Sequence, residues 1–177
     1  AQGRLAALSS FVGNFSWTFD EAGRPPGMIR PNGISTSFSY ENAGRISRIR
    51  HDSTASALLD ILYTYDSGGQ IVTQVEDTNT INYGYDQAGQ LTSASYPGLS
   101  LSWTYDDAGN RLTEVRNSVT TNYTYNAANE MTQVGSDNVK YDSAGNMISR
   151  SNGAETFVWD EENRLTRYES GSVVVRL

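Results

Sequence analysis

A short motif that recurs along the whole chain constrains its fold more than any other feature of the sequence. The motif is an aromatic residue, any residue, a second aromatic residue, an acidic residue, two more residues and then glycine; its clearest copy is residues 103–109. The second aromatic residues lie at positions 19, 40, 65, 85, 105, 125, 141 and 159, which are 16 to 25 residues apart. Such a period predicts a repeat architecture, in which each unit is stabilised mainly by its neighbours.

Each copy of the motif predicts two strands joined by a turn. Residues 99–105 alternate apolar with small polar residues, as a strand with one buried face does, and the Asp-Asp-Ala-Gly sequence that follows is typical of a turn. A second strand is expected from Arg111. Since one such unit is too small to bury its own face, the units must be stabilised by repetition. We therefore predict an all-β fold of about eight antiparallel strand–turn–strand units, in a single array over residues 1–177.

The aromatic residues of the motif are predicted to form a structural ladder. Two aromatic residues at positions i and i+2 of a strand project to the same face of the sheet. The chain is only 37% hydrophobic, but 11% of its residues are aromatic, and aromatic side chains bury a large area each. The predicted ladder consists of Trp17, Phe19, Phe38, Tyr40, Tyr63, Tyr65, Tyr83, Tyr85, Trp103, Tyr105, Tyr123, Tyr125, Tyr141, Phe157 and Trp159.

A second set of residues is predicted to shape the turns. Glycine or asparagine stands three positions after each acidic position, and both residue types enter the left-handed region of backbone space at low cost. The acidic side chain can accept hydrogen bonds from amides further along the turn. These features predict a hairpin loop with a bulge, closed by a left-handed residue. The predicted turn residues are Asp20, Gly23, Gly44, Asp66, Gly69, Asp86, Gly89, Asp106, Gly109, Asn129, Asp142, Gly145, Asp160 and Asn163.

Composition and charge argue against several classes of function. The 13 basic and 20 acidic residues give a net charge of −7, and no basic patch is present that would bind nucleic acid. The chain has no cysteine and a single histidine, His51, so we predict no metal site and no cofactor. No apolar run approaches the ~20 residues of a membrane-spanning helix.

An enzymatic function is also not expected. The adjacent carboxylates Asp106 and Asp107, and the acidic run 160–162, lie in or beside predicted turns, where solvated acids are common. His51 has no nucleophile motif near it. We therefore predict no catalytic residues.

The repeat resembles that of the YD-repeat (Rhs-repeat) proteins, most clearly in residues 103–113 and in the Trp-Asp-Glu-Glu-Asn-Arg-Leu-Thr sequence of residues 159–166. The resemblance implies a curved, spiralling sheet that forms part of a hollow shell. In bacterial Rhs and toxin-complex proteins such a shell encloses a toxin, and in teneurins it is an extracellular scaffold. It implies a structural segment of a secreted or cell-surface protein, with the rest of a larger polypeptide or its toxin cargo as partner. The Asp-Pro-X-Gly motif of self-cleaving members is not found here.

Two further hypotheses remain open at this point. Aromatic residues that face outward would stack on sugars, which would make the chain a glycan-binding or cell-wall-binding module. Both ends of the sequence look like halves of a repeat, residues 1–8 like a second strand and residues 172–177 like a first strand. Such open strand edges predict head-to-tail association with neighbouring sequence or with another copy.

Overall fold

The computed structural model describes residues 5–176, and within them the fold is all-β, as predicted. Residues 5–176 form nineteen strands and one 3₁₀ turn, Ser151–Gly153. The strands are β1 (Ala7–Ser10), β2 (Gly13–Thr18), β3 (Gly27–Ile29), β4 (Ser35–Tyr40), β5 (Ile46–Asp52), β6 (Ala57–Tyr65), β7 (Ile71–Glu76), β8 (Asn79–Tyr85), β9 (Leu91–Tyr96), β10 (Leu99–Tyr105), β11 (Arg111–Arg116), β12 (Val119–Tyr125), β13 (Met131–Val134), β14 (Asp137–Asn138), β15 (Lys140–Tyr141), β16 (Met147–Arg150), β17 (Glu155–Trp159), β18 (Leu165–Ser170) and β19 (Val173–Arg176).

The order of the strands in the sheets follows the order of the sequence. Strands β1 to β14 form one sheet and β15 to β19 another, without a crossover among the described strands. The pairings are antiparallel, for example β10 with β11 and β11 with β12. By the density of its contacts, the chain divides into an N-terminal part, Ala1–Gly84 with Ala94–Gly98, and a C-terminal part, Tyr85–Ser93 with Leu99–Leu177. The predicted antiparallel repeat of strand–turn–strand units is confirmed.

A β-bulge recurs at the same place in at least six of the eight units. In the fifth unit Thr104 pairs with Thr113, whereas the next residue, Tyr105, pairs with Arg111. Leu112 is therefore the extra residue of the second strand. The same shift precedes the second aromatic residue in the second, third, sixth, seventh and eighth units. These six units thus place their second aromatic residue in the same local geometry.

Few residues are fully buried. Within residues 5–176 the buried side chains are Thr36, Ala94, Tyr123 and Val139. Most strand residues are half-buried, and in β12 exposed residues alternate with less exposed ones near the turn. Side chains on both faces of the repeat therefore keep contact with solvent, and stability comes from contacts between successive units rather than from a deep core.

Candidate functional site: contacts that link the repeat units

The eight turns share one backbone conformation. In the fifth unit the amide of Asp106 donates to the carbonyl of Asn110 at 2.9 Å, and the amide of Gly109 donates back to the carbonyl of Asp106 at 3.0 Å. Equivalent bonds close the other seven turns. The turn-closing residue has a positive φ in every unit, +86° at Gly109 and +59° at Asn129, which is the region that glycine and asparagine tolerate best. We call this residue, Gly23, Gly44, Gly69, Gly89, Gly109, Asn129, Gly145 or Asn163, the turn-closing residue.

The acidic side chain of the turn binds the backbone of its own turn. Asp106 Oδ1 accepts hydrogen bonds from the amides of Ala108 at 3.0 Å and Asn110 at 2.8 Å, and Oδ2 accepts one from Asn110 Nδ2 at 3.0 Å. These bonds, that from the Asn110 side chain foremost, lower the pKa of Asp106. Asp142 accepts the equivalent bonds from Ala144 and Asn146, and its pKa is lowered in the same way. The carboxylates therefore hold the turns closed.

The residue after the turn-closing residue, which we call the post-turn residue, complements the acidic position. It is Arg24, Arg45, Gln70, Gln90, Asn110, Glu130, Asn146 or Arg164. Arginine pairs with the acid in three units, as in Arg45 with Glu41 at 2.8 Å. In the sixth unit the acid is the post-turn residue and the amide stands at the acidic position, and Asn126 Nδ2 donates to Glu130 Oε2 at 2.6 Å. A donor therefore faces an acceptor whichever side of the turn carries the acid.

In five units the second aromatic residue donates a hydrogen bond to the backbone of the unit before it. Tyr105 Oη donates to the carbonyl of Leu91 at 2.7 Å, and Tyr125 Oη donates to that of Arg111 at 3.0 Å. In these five units the acceptor is the second residue after the turn-closing residue of the preceding unit. The other pairs of this kind are Tyr40 with Pro25 at 3.0 Å, Tyr65 with Ile46 at 2.6 Å, and the Trp159 indole Nε1 with Met147 at 2.8 Å.

The sequence analysis does not predict this hydrogen bond, although the residue types at the second aromatic position indicate it. Seven of the eight second aromatic residues are Tyr or Trp, which have a polar donor, and only Phe19 lacks one. A ladder built for apolar packing alone would use Phe as readily. Burial raises the pKa of the Tyr65 and Tyr141 hydroxyls, further from neutral pH.

The ladder residues are half-buried, apart from the buried Tyr123 and the exposed Phe19. Polar and cationic groups cover the rings. Trp103 Nε1 donates to Glu114 Oε2 at 3.0 Å on the paired strand, and the Arg111 guanidinium lies 4.5 Å from the centre of the Tyr123 ring. These contacts combine a cation–π interaction with ordinary hydrogen bonds. The face that carries the first and second aromatic residues is called the aromatic face below.

The opposite face, called the polar face, carries hydroxyl groups. The residue between the two aromatic residues is threonine in several units, and it pairs with a threonine on the next strand. Thr104 and Thr113 are 2.7 Å apart at their hydroxyl oxygens, and Thr124 and Thr132 are 2.9 Å apart. These cross-strand pairs stabilise the sheet modestly. The two faces therefore differ in chemistry along the repeat.

An ionic cluster joins strand β5 of the second unit to strand β6 of the third unit. The guanidinium of Arg48 binds both carboxylate oxygens of Asp60, and Arg50 binds Asp52 at 2.8 Å and Asp60 at 3.2 Å. The bond from Arg48 is the main reason why the pKa of Asp60 is lowered. His51 lies on the same strand, and its Nδ1 is 2.7 Å from the hydroxyl of the buried Thr36. These side chains satisfy one another, which fits a role in holding strands β4 to β6 together.

The described part of the chain has no group of three or more His, Asp or Glu side chains placed to hold a metal ion. Nor does any helix within residues 5–176 have the length and apolar character needed to cross a membrane. Asp107 and Glu161 are exposed turn residues, and Glu162 pairs with Arg164 at 2.7 Å. The organised feature of this molecule is therefore the repeated set of contacts between units.

Comparison with solved structures finds the same fold in toxin complexes. A mutant of the Photorhabdus luminescens Tc holotoxin pore is 18% identical, with a TM-score of 0.56, over 86% of this chain and 11% of that chain. A TcdB2–TccC3 structure without its hypervariable C-terminal region is 18% identical, with a TM-score of 0.55, over 92% and 13%. Another TcdB2–TccC3 structure is 16% identical, with a TM-score of 0.53, over 94% and 14%. At these identities the likeness shows the fold, and this chain spans only 11 to 14% of those chains.

Family comparison agrees with the repeat geometry. No curated protein matches this sequence. The family model described as the Teneurin YD-shell matches residues 59–177, which is more than half of the chain and begins near the start of the third unit. Together with the aromatic–acid motif, the bulged hairpins and the sequential antiparallel sheet, this match shows that the chain belongs to the Teneurin YD-shell family.

Proposed function

We propose that this chain is a structural segment of a longer, secreted bacterial shell protein, in which the repeat sheet forms a wall around a toxin or another polypeptide cargo. The observation that carries the proposal is the bonding of successive units through backbone carbonyls, as in Tyr105 to Leu91 and Tyr125 to Arg111. Bonds of this kind extend a sheet unit by unit without a globular core. The low burial on both faces supports a wall.

The partners under this proposal are the remainder of the polypeptide and its cargo. Display at the cell surface would use the same wall, with the cargo presented instead of enclosed. A sheet used as a wall has one face toward the enclosed space and the other toward the surroundings. The hydroxyl-rich polar face and the half-buried aromatic face provide two chemically distinct sides for these roles.

The aromatic ladder supports the wall better than a glycan-binding surface. The hydroxyls of Tyr65, Tyr105 and Tyr125 already donate to backbone carbonyls. Their rings are half-buried between neighbouring units. Sugar stacking needs an exposed aromatic plane, and these rings offer only part of theirs.

Two neighbouring residues allow a direct test of enclosure. Thr121 pairs with Glu114, whose other neighbour is Trp103, so Thr121 lies on the aromatic face. Asn122 pairs with Thr113 and lies on the polar face. Because the chain has no cysteine, Thr121→Cys and Asn122→Cys each introduce a single thiol.

The two variants are compared in the longer protein and in the 177-residue chain, with a small maleimide and with a bulky polymer-linked maleimide. A wall predicts that in the longer protein one of the two thiols reacts with the small reagent only. In the 177-residue chain both thiols should react with both reagents. Equal labelling of both faces by the bulky reagent in the longer protein would refute enclosure.

A further inference from the structure

The post-turn residue of one unit reaches the turn of the next unit. The Arg45 guanidinium lies 4.5 Å from the centre of the Tyr65 ring, and its Nη1 donates to the carbonyl of Asp66 at 3.3 Å. A Cβ atom at Gly69 would be 3.0 Å from that same nitrogen. The side chain therefore occupies the space that a larger turn-closing residue would need.

A similar approach is found at three more turn-closing glycines, each of which follows a unit with a long post-turn residue. A Cβ atom at Gly109 would lie 3.3 Å from Gln90 Nε2, and one at Gly145 would lie 3.2 Å from Glu130 Oε1. One at Gly44 would lie 3.4 Å from Arg24 Nη1. The contact at Gly44 is an ordinary van der Waals distance, whereas at Gly69, Gly109 and Gly145 the post-turn side chain would have to move by a few tenths of an ångström to admit a Cβ atom.

Short post-turn residues meet a different partner. Asn110 Nδ2 donates to Asn129 Oδ1 at 2.9 Å, and Asn146 Nδ2 donates to Asn163 Oδ1 at 2.7 Å. An asparagine side chain is shorter than that of arginine, glutamine or glutamate, so here the turn-closing residue extends a side chain to meet it. Asn129 and Asn163 are the two turn-closing residues that are not glycine.

The sequence keeps this correspondence through all seven successive pairs of units. A long post-turn residue is followed by a turn-closing glycine, and an asparagine is followed by an asparagine. The pairs, in order, are Arg24 and Gly44, Arg45 and Gly69, Gln70 and Gly89, Gln90 and Gly109, Asn110 and Asn129, Glu130 and Gly145, and Asn146 and Asn163.

We propose that the post-turn residue of each unit selects the turn-closing residue of the next unit, so that this pair is a specificity determinant for docking between units. Both turn-closing residue types adopt the left-handed conformation, so the backbone alone does not distinguish them. The distinction lies in the fit between the two side chains. A long side chain must move to admit an asparagine, and a short one leaves a gap over glycine.

Such a determinant has a purpose in a repeat protein. The eight hairpins have nearly the same backbone, so a unit could dock onto the wrong neighbour during folding. Mismatched side chains at the turn edge destabilise such a wrongly docked pair without changing the backbone. A unit whose post-turn residue is Asn110 or Asn146 is thus expected to dock against a turn closed by asparagine.

A double-mutant cycle in the full chain tests the proposal. The variants are Asn110→Gln, Asn129→Gly and the two combined, which recreates the Gln90–Gly109 pair at the next position. Hydrogen exchange of the backbone amide at position 129, which donates to the carbonyl of Asn126, is the measurement. Each single change should speed exchange about fivefold, as the loss of one hydrogen bond does. The double variant should return to within about twofold of the parent chain.

A reciprocal cycle and a mismatched control make the result decisive. Gly109→Asn and Gln90→Asn should each speed exchange at position 109, and together they should restore it, because they recreate an Asn–Asn pair. Gln90→Asn combined with Asn129→Gly joins residues that do not belong to one pair, so exchange at positions 109 and 129 should stay as fast as in the two single variants. If the paired double variants likewise show no recovery, the proposed selection does not exist.

Discussion

The first and fifth repeat units follow the same motif but differ in how they use it. The fifth unit pairs two long strands, β10 and β11, with a bulge next to Tyr105, whose hydroxyl binds the carbonyl of Leu91. In the first unit the second aromatic residue is Phe19, which lies beyond the end of β2, is 37% exposed and has no hydroxyl. Its second strand, β3, has only three residues. The turn is common to both units, whereas the strand after the turn and the hydroxyl of the second aromatic residue are not.

Two prolines explain much of this difference. Pro25 and Pro26 stand where the bulged second strand of the first unit would begin, and neither residue has an amide hydrogen to donate to the sheet. Strand β3 therefore begins only at Gly27. The carbonyl of Pro25 still accepts the hydroxyl of Tyr40 at 3.0 Å. A unit whose second aromatic residue has no hydroxyl can thus still accept the bond from the unit that follows it.

The largest effect should come from removing the second aromatic side chain in the regular unit. Tyr105→Ala is expected to lower the free energy of unfolding by about 2–4 kcal/mol, somewhat less than for a fully buried aromatic, because Tyr105 is half-buried. Phe19→Ala should cost about 1 kcal/mol or less, because that side chain is exposed. Urea titration of both variants measures the two values. Equal losses would mean that the first unit contributes as much packing as the fifth.

A smaller effect should come from removing the hydroxyl alone. Tyr105→Phe keeps the ring and leaves the Leu91 carbonyl without this donor, so we expect a loss of about 1 kcal/mol. Tyr125→Phe, whose hydroxyl binds Arg111, is the matched variant and should behave alike. Urea titration gives the free energies, and hydrogen exchange in the second strands should speed up locally. Stability unchanged in both variants would show that the hydroxyl bond merely replaces a bond to water.

The sequence predicts the repeated part of this fold well because the information is local. Alternation, turn residues and the period of about 20 residues identify the hairpins, their antiparallel order and the left-handed turn position. The destination of the Tyr105 hydroxyl could not be foreseen, because its acceptor is a backbone carbonyl, and every residue has one. The pairing of Asn110 with Asn129 is visible in the sequence only once the structure shows that these positions touch.

Acid should weaken the feature that both units share. Hydrogen bonds lower the pKa of Asp106, chiefly that from the Asn110 side chain, and they lower the pKa of Asp20, chiefly that from the Arg24 amide. A lowered pKa in the folded state means that the ionised carboxylate stabilises the turn above its unfolded pKa. That contribution is lost as the pH falls through the folded-state value.

The sixth turn provides an internal control for this titration, since its acidic position is Asn126. The amide of Ala108 donates to Asp106, and that of Ala128 donates to Asn126. As the pH falls, the NMR signal and exchange rate of Ala108 should report the titration of Asp106, and the Asp106→Asn variant should abolish that response. If Ala128 responds as strongly as Ala108, the turn acid is not the titrating group.

The smallest expected effect sharpens the comparison most. The other seven second aromatic residues are Tyr or Trp and have a polar donor. Phe19→Tyr gives the first unit such a donor without altering its strands. Because Phe19 lies outside β2 and is exposed, the new hydroxyl should remain hydrated, and the free energy of unfolding should change by less than about 0.5 kcal/mol. Tyr105→Phe, run alongside in the same urea titration, gives the scale of a working bond. If Phe19→Tyr instead stabilised the chain by about as much as Tyr105→Phe destabilises it, the missing hydroxyl alone would set the two units apart. The proline-shortened strand would then be incidental, because a single oxygen atom would have restored the regular contact.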